Sequence, residues 1–123
     1  MDVINVLAGV AVKDLDESGS RYEQLFGRPP DTRPMERLLE WEFKKNGGWL
    51  QVFEVKSGAG ASFVTLVENN VDRRIEDLEA KGIEIVSSSG SDGHAVKTAI
   101  IKDPDGNQIV FAQGMDDIHK STM

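Results

Sequence analysis

The sequence predicts an α+β domain made of two βαβββ modules, each a curved mixed sheet with its helix on the outside. The main observation is a pattern that occurs at 12–27 and again at 67–82: a strand end, an acidic cap, an amphipathic helix and a glycine. The two windows are equally long and start 55 residues apart, and a fixed period is typical of duplicated architecture. Two paired modules would leave their free sheet faces lining a shared cleft.

Length and composition support one globular domain. The chain has 123 residues, of which 39% are hydrophobic and 28% charged, which is ordinary for a packed soluble protein. We expect module one at 1–56, a linker at 57–62, module two at 63–114 and a polar tail at 115–123. No apolar run is long enough to span a membrane, and the N-terminus lacks the basic segment of a signal peptide.

Charge and cysteine content narrow the function classes. The absence of cysteine excludes disulfides, thiol nucleophiles and thiolate metal sites, and it agrees with a cytoplasmic location. The net charge of −7 argues against nucleic acid and anionic membranes as partners, and it mildly favours cationic ligands. Solubility alone is the simpler interpretation of this charge.

Module one begins with a strand predicted at 3–12. A helix is predicted at 16–26, because Asp14 or Asp16 can cap it and Gly27 can end it. Strands at 38–43 and 48–55 follow, joined by an Asn-Gly turn at 46–47 that is typical of hairpins. Alternation in the first strand places five residues on the helix side: Ile4, Val6, Ala8, Val10 and Val12.

Module two repeats this order. A strand at 63–67 leads to a helix at 71–81, with Ile75 and Leu78 facing inward and Gly82 as the stop. The remaining elements are a strand at 83–86, a loop at 87–93 and a final hairpin with strands at 95–102 and 108–113. The hairpin turn, Asp-Pro-Asp-Gly-Asn at 103–107, has turn chemistry throughout, which predicts a structural role.

Three segments together resemble a known superfamily: GVAVKDLDESGSRYEQLFG, the second strand–helix window, and KDPDGNQIVFAQ. Their order and spacing are similar to those of the vicinal oxygen chelate superfamily, which includes glyoxalase I, extradiol dioxygenases, and fosfomycin- and bleomycin-resistance proteins. The resemblance covers nearly the whole chain. It implies a homodimer, because clefts in this family are often completed across a two-fold interface.

The resemblance also implies where a metal ion would be bound. Metal-using members supply histidine and glutamate from four strands, at positions that here carry Leu7, Gln51, Phe63 (or Ser62 if the alignment shifts by one) and Val110. Leucine, phenylalanine and valine have no lone pairs to donate, and a glutamine amide is a weak neutral ligand. We therefore expect a cavity with no metal, no other cofactor and no catalytic residue. His94 and His119 lie outside these positions, and a solvated or structural role is favoured over a metal site shared with a partner subunit.

Strand alternation predicts that Leu7, Gln51 and Val110 face the cleft, with Trp49 and Phe53 beside Gln51. Trp49 could stack on a planar or cationic ligand. The predicted ligand-binding residues are Leu7, Trp41, Glu42, Trp49, Gln51, Phe53, Phe63 and Val110. Trp41 has packing as its alternative role, since it shares a face with Leu39 and Phe43. Glu40, Glu42 and Lys44 form either a solvated face or a negative rim of the pocket.

The favoured function is metal-independent binding or sequestration of a small aromatic or cationic compound, as in the bleomycin-resistance branch that the chain resembles. The first alternative is a metal-dependent lyase, isomerase or dioxygenase of the same superfamily whose metal site has moved. The second is a module that serves a larger assembly. The sequence leaves the identity of the ligand open.

Overall fold

The structure, a computed structural model, describes residues 2–43, 47–90 and 96–114. Its elements are β1 (Ala8–Val12), α1 (Leu15–Phe26), β2 (Thr32–Met35), β3 (Leu38–Glu42), β4 (Trp49–Glu54), β5 (Phe63–Val67), α2 (Val71–Ala80), β6 (Ser87–Ser89), β7 (Lys97–Lys102) and β8 (Gln108–Gln113). A single 3₁₀ turn, Lys56–Gly58, lies between β4 and β5. This order is βαβββ twice, so the predicted α+β duplication is confirmed.

Both sheets have four strands in equivalent order, β1-β4-β3-β2 and β5-β8-β7-β6. In the first sheet β1 runs parallel to β4, and the β3–β4 and β2–β3 pairs are antiparallel. The chain divides into two compact units. The first contains the described residues up to Val64 together with Asp103–Asn107, and the second contains Thr65–Lys102 and the described residues from Gln108 onward.

The two helices begin and end close to the predicted positions, but only the first has the acidic cap of the repeated pattern, since the second is capped by Asn70. The carboxylate of Asp14 accepts hydrogen bonds from the backbone N–H groups of Asp16 and Glu17, and the amide oxygen of Asn70 accepts one from Arg73. Such side-chain caps satisfy backbone donors that the first helical turn leaves unpaired. Gly27 and Gly82 follow the helices with φ of 73° and 71°, a conformation that glycine adopts without steric cost. Neither helix is long and apolar enough to cross a membrane.

The core of the first unit lies between α1 and one face of its sheet. Trp41 is fully buried, with ring centroids 6.2 Å from Tyr22 and 5.5 Å from Phe26, and its indole N–H donates to the carbonyl of Arg28. Val10, Val12, Leu50 and Val52 are also buried, as expected for one face of β1 and β4. Burial of each large side chain contributes about 1.5–3 kcal/mol.

The second unit has a smaller core of the same design. Phe111 and Leu78 are fully buried, and the guanidinium of Arg74 lies 5.0 Å from the Phe111 ring centroid. Hydrogen bonds to the Glu68 carboxylate raise the pKa of Arg74 further, so the residue stays charged while it covers the ring. The N-terminus of α2 is held by Gln113, whose side-chain oxygen accepts from the N–H of Val71.

The first strand is shorter than predicted, and the packing predicted for Ile4 and Val6 is wrong. Ile4 is 98% exposed and Val6 78% exposed, while Val10 and Val12 are buried as expected. The register explains the difference. Ala8 pairs with Leu50, and the neighbouring strand β4 begins at Trp49, so residues before Leu7 have no strand to pair with.

Two further corrections concern the positions of strands that contain few apolar residues. The predicted strand at 83–86 is irregular, and the strand is Ser87–Ser89, which was predicted as loop. Its serines pair with Ile100, Ala99 and Thr98, so register with β7 outweighs the β-propensity of the preceding residues. Strand β2 was not predicted, because it is an exposed edge strand containing Pro34.

Some predictions fall on parts of the chain outside the described residues. These are Lys44 and Asn46 near the hairpin turn, residues 91–93 of the loop predicted at 87–93, the first residue of the strand predicted at 95–102, the tail at 115–123, and both histidines. The hairpin itself is described on either side of that turn. The N–H of Phe43 donates to the carbonyl of Gly48 at 2.9 Å, which closes the β3–β4 connection.

The Asp-Pro-Asp-Gly-Asn turn forms hydrogen bonds with several separate elements of the first unit. The carboxylate of Asp103 accepts from the N–H groups of Asp105 and Asn107, from the Asn107 amide at 2.8 Å and from the Tyr22 hydroxyl at 2.9 Å. The Asn107 amide also donates to the carbonyl of Ala11 and accepts from the N–H of Ser62, both at 2.8 Å. The structural role predicted for the turn is confirmed, because these bonds tie β1, α1 and the segment before β5 together.

We predict that Tyr22 makes stability fall at alkaline pH. Burial and the charge of Asp103 raise the pKa of the Tyr22 phenol well above its usual value of about 10. The folded state therefore keeps a proton that the unfolded chain loses above about pH 10, where the free energy of unfolding should fall by up to about 1.4 kcal/mol per pH unit. Denaturation of the wild type and of Tyr22→Phe at several pH values measures the difference.

The chain has a single tyrosine, so phenolate absorbance reports on this residue alone. We expect the absorbance to rise only together with the loss of native circular dichroism. A phenolate signal near pH 10 in a protein that is still folded would contradict the prediction.

A second prediction concerns Gly60, which has φ of +94° and lies against the turn. A Cβ at this position would lie 2.6 Å from the carbonyl oxygen of Asp105, whereas one at Gly27 would meet nothing within 4 Å. Gly27→Ala should cost about 1 kcal/mol from backbone conformation alone. Gly60→Ala should cost about 2 kcal/mol more, because the turn must move. Urea denaturation compares the two variants, and equal costs would show that the turn can shift freely.

Candidate functional site

The first sheet has one face under α1 and one face that the helix does not cover. Strand register assigns the side chains, because residues directly opposite each other point to the same face. Gly9 is opposite Gln51, and Gln51 is opposite Glu40. These three residues alternate with the buried Val10, Leu50 and Leu39, so they lie on the face away from α1. We call this surface of β1, β4, β3 and β2 the open face.

A polar row crosses the open face. The side-chain N–H of Gln51 donates to one carboxylate oxygen of Glu40 at 2.7 Å, and the hydroxyl of Thr32 donates to the other at 2.9 Å. Thr32 is opposite Glu40 in the β2–β3 pairing. The two bonds fix the orientation of the carboxylate and of the amide, and they direct one negative charge to the open face.

An apolar row lies next to the polar one. Phe53 is opposite both Leu38 and Ala11, and Leu38 is opposite Met35. The Phe53 ring leans over Gly9, where a Cβ would lie 3.0 Å from ring atom Cε1. Gly9 therefore leaves the space into which the ring packs. Methionine and leucine beside an aromatic ring form an adaptable apolar surface.

These rows border a cavity of about 360 Å³. Its lining includes Met35, Arg37, Leu38, Gln51, Phe53 and Glu54. The volume lies within the range of roughly 300–1,000 Å³ that is typical of small-molecule sites. The cavity has an apolar floor with few polar groups, which is the usual composition of a ligand pocket.

Four predicted site residues share the open face. Gln51 and Phe53 line the cavity, and Trp49 lies two residues before Gln51 on the same face of β4. Glu42 is opposite Trp49 and half-buried, so its carboxylate lies on the same face as that of Glu40. Trp41 lies on the other face and is fully buried against α1. That placement supports its alternative role, packing, rather than contact with a ligand.

Leu7, Phe63 and Val110 lie in other parts of the chain. Leu7 is 40% exposed and precedes β1, Phe63 is 65% exposed at the start of β5, and Val110 is 7% exposed in β8. The helix caps Asp14 and Asn70 are 56 residues apart, which aligns Leu7 with Phe63. Strands β1 and β5 start 55 residues apart, which aligns Leu7 with Ser62, so the duplication leaves both alternatives open. The Ser62 hydroxyl is already bonded to the N–H of Ala11.

The sequence interpretation underestimated Glu40 and missed Met35, Arg37 and Leu38 as cavity residues. Glu40 was considered only as part of a solvated face or of a negative rim, yet its carboxylate accepts a hydrogen bond from Gln51 on the same face. The Asn-Gly turn predicted at 46–47 would place Glu40 opposite Phe53, whereas the observed register pairs Glu40 with Gln51. Met35 and Arg37 could not be found because β2 itself was not predicted.

The residues present do not fit the metal ion that metal-using relatives hold. Leu7, Phe63 and Val110 offer no donor atoms, and the Gln51 N–H groups face a carboxylate. Within the described ranges, His, Asp and Glu side chains nowhere form a group of three that could hold a metal ion. These side chains are suited to apolar contact and, at Gln51, to hydrogen bonding.

Comparison with known proteins identifies the family. A family model described as Glyoxalase/Bleomycin resistance protein/Dioxygenase superfamily matches residues 3–111. The chain therefore belongs to this superfamily, and the resemblance inferred from the sequence is confirmed. No curated protein sequence matches the chain significantly.

Solved structures agree with this assignment. A glyoxalase/bleomycin resistance protein from Catenulispora acidiphila DSM 44928 is 27% identical, with a TM-score of 0.80 over 90% of this chain and 98% of that one. TnmS3, an antibiotic binding protein from Streptomyces sp. CB03234, is 22% identical, with a TM-score of 0.73 over 92% and 98%. Lactoylglutathione lyase from Agrobacterium tumefaciens is 17% identical, with a TM-score of 0.74 over 89% and 92%. The last two show likeness of fold alone.

We predict that Gly9→Ala moves the Phe53 ring with little loss of stability. The added methyl group would occupy the space under the ring, and Phe53 is only half-buried, so it can swing outward. The free energy of unfolding should change by less than about 1 kcal/mol. The ring resonances of Phe53, assigned by its loss in Phe53→Leu, should shift in NMR spectra.

Gly48→Ala is the matched control, because a Cβ there would meet nothing within 4 Å. It should leave the Phe53 resonances in place. If both variants leave the ring unchanged, Phe53 does not pack over Gly9 in solution.

Proposed function

We propose that the protein binds a small compound with an aromatic and a cationic part on the open face, without metal-dependent chemistry. The observation that carries this proposal is the pairing of two rows on one sheet. Met35, Leu38 and Phe53 supply apolar surface, and the Gln51–Glu40 hydrogen bond presents an oriented negative charge beside it. An aromatic ring would pack on the first row while a cationic group met the carboxylate.

Charge supports a cationic ligand. The chain carries a net charge of −7, which attracts cations at long range, and Glu40 and Glu42 give this attraction a local direction. Trp49, opposite Glu42, adds an aromatic face on which a planar or cationic group could stack. A carboxylate next to an aromatic surface would thus select such compounds over neutral aliphatic ones.

The family offers both binding proteins and enzymes as precedents. TnmS3 is described as an antibiotic binding protein, and the A. tumefaciens neighbour as a lactoylglutathione lyase. The donor chemistry of Leu7, Phe63 and Val110 supports the binding role for this chain, because a lyase of the metal-dependent kind needs ligands that these side chains do not provide. The homodimer expected from the family belongs to the same proposal, and sedimentation should then give twice the 13.5 kDa of one chain.

Tryptophan fluorescence tests the proposal directly. The chain has two tryptophans, of which Trp41 is fully buried and Trp49 is half-buried on the open face. Cationic glycopeptide and planar aromatic drugs should quench the emission in a saturable way. Trp41→Phe should keep this quenching and Trp49→Phe should lose it.

Metal analysis separates the binding role from the enzymatic alternative. We expect protein equilibrated with zinc, iron(II) or manganese and then dialysed to retain less than one ion per chain, and a chelator to leave drug binding unchanged. A stoichiometric ion removed together with an activity would favour the lyase or dioxygenase. Absence of both quenching and calorimetric heat across the whole panel would overturn the binding role.

A further inference from the structure

A second cavity continues from the first toward the end of β4. Its volume is about 520 Å³, and its lining includes Arg37, Glu54, Lys56 and Ser57. Arg37, Glu54 and Val55 line both cavities, so the two form one groove. The groove begins beside the bonded pair Gln51–Glu40 and ends beside two basic side chains.

The order of side chains along the groove follows from β3 and β4. Glu40 and Gln51 form one cross-strand pair, and Leu38 and Phe53 form the next pair along the same face. Arg37 directly precedes Leu38, and Lys56 follows β4. The groove therefore has a negative end at Glu40, an apolar middle, and an end where the two basic side chains of Arg37 and Lys56 outnumber the carboxylate of Glu54. At about 3.3 Å per residue, Glu40 and Arg37 lie roughly 10 Å apart along the strand.

Arg37 is free to turn toward a ligand. Its side chain is 77% exposed, and its guanidinium lies 3.7 Å from the carboxylate of Glu54. Glu54 is held elsewhere, since its other carboxylate oxygen accepts from the N–H of Leu15 at the start of α1. An exposed pair at this distance contributes little to stability, so a ligand carboxylate or phosphate could compete for the guanidinium.

We propose that the ligand of this groove is dipolar, with a cationic group at Glu40, an apolar or aromatic body on Leu38 and Phe53, and an anionic group at Arg37 and Lys56. This inference rests on the proposed function and adds the class of compound. The two charged ends are about one Debye length apart at physiological salt, so each acts on its own part of the ligand. A compound with one charge would satisfy one end only.

Three biphenyl probes test the idea by calorimetry. The first carries an aminomethyl group at one end and a carboxylate at the other; the second carries the aminomethyl group alone; the third carries the carboxylate alone. We expect the dipolar probe to bind about tenfold more tightly than the aminomethyl probe, because it adds one charge-assisted contact.

Two variants test which residue binds each charged group of the probes. Arg37→Gln should weaken the dipolar probe about tenfold and leave the aminomethyl probe unchanged, and Glu40→Gln should weaken the aminomethyl and dipolar probes alike. Arg33→Gln and Glu36→Gln are matched controls, because both residues are exposed in the same β2–β3 hairpin and outside the cavity linings. Both controls should bind as the wild type does.

The outcomes separate this inference from the proposed function. If the aminomethyl probe binds through Glu40 but the dipolar probe binds no more tightly, the proposed function stands and the dipolar ligand is wrong. The same conclusion follows if Arg37→Gln leaves the dipolar probe unaffected. If none of the three probes binds the wild type, the open face is not a binding site and both ideas fail.

Discussion

The side-chain amide of Asn107 joins parts of the first unit that are far apart in sequence. It is fully buried, and its three hydrogen bonds reach Ala11, Ser62 and Asp103. Burial of an amide without partners would cost several kcal/mol, so this geometry is nearly obligatory. Asp103 extends the constraint to Tyr22 in α1. The position of β1 against the helix, and hence the edge of the open face, depends on this network.

The open face contributes little to the free energy of unfolding, because most of the buried contacts lie on the helix side of the sheet. The large buried side chains of the first unit, among them Trp41, Tyr22 and Leu50, lie on the helix side. On the open face, Gln51 and Phe53 are only half-buried. Most of the packing and the proposed ligand site therefore lie on opposite faces of one sheet, so exposed side chains of the open face can change with little effect on the core.

The sequence predicted the features that depend on local chemistry and on period. The cap at Asp14, the glycines that end the helices and the strand at 63–67 were recognised because each has its own signal, whereas the cap at Asn70 was not. Strands β2 and β6 were not, because their residues are polar and their positions are set by neighbouring strands. The same distinction between local pattern and strand pairing applies to the prediction of the site residues. Alternation placed Gln51 and Phe53 together, whereas the partnership of Gln51 with Glu40 needed the hairpin register.

The bond between Asn107 and Ala11 spans 96 residues of the chain. Residue 107 is synthesised long after residue 11, so we expect the first module to fold completely only after the chain has been made through Asn107. Closing so long a loop has an entropic cost. The fold of the first unit thus includes residues from beyond the second helix, although the two modules have the same architecture.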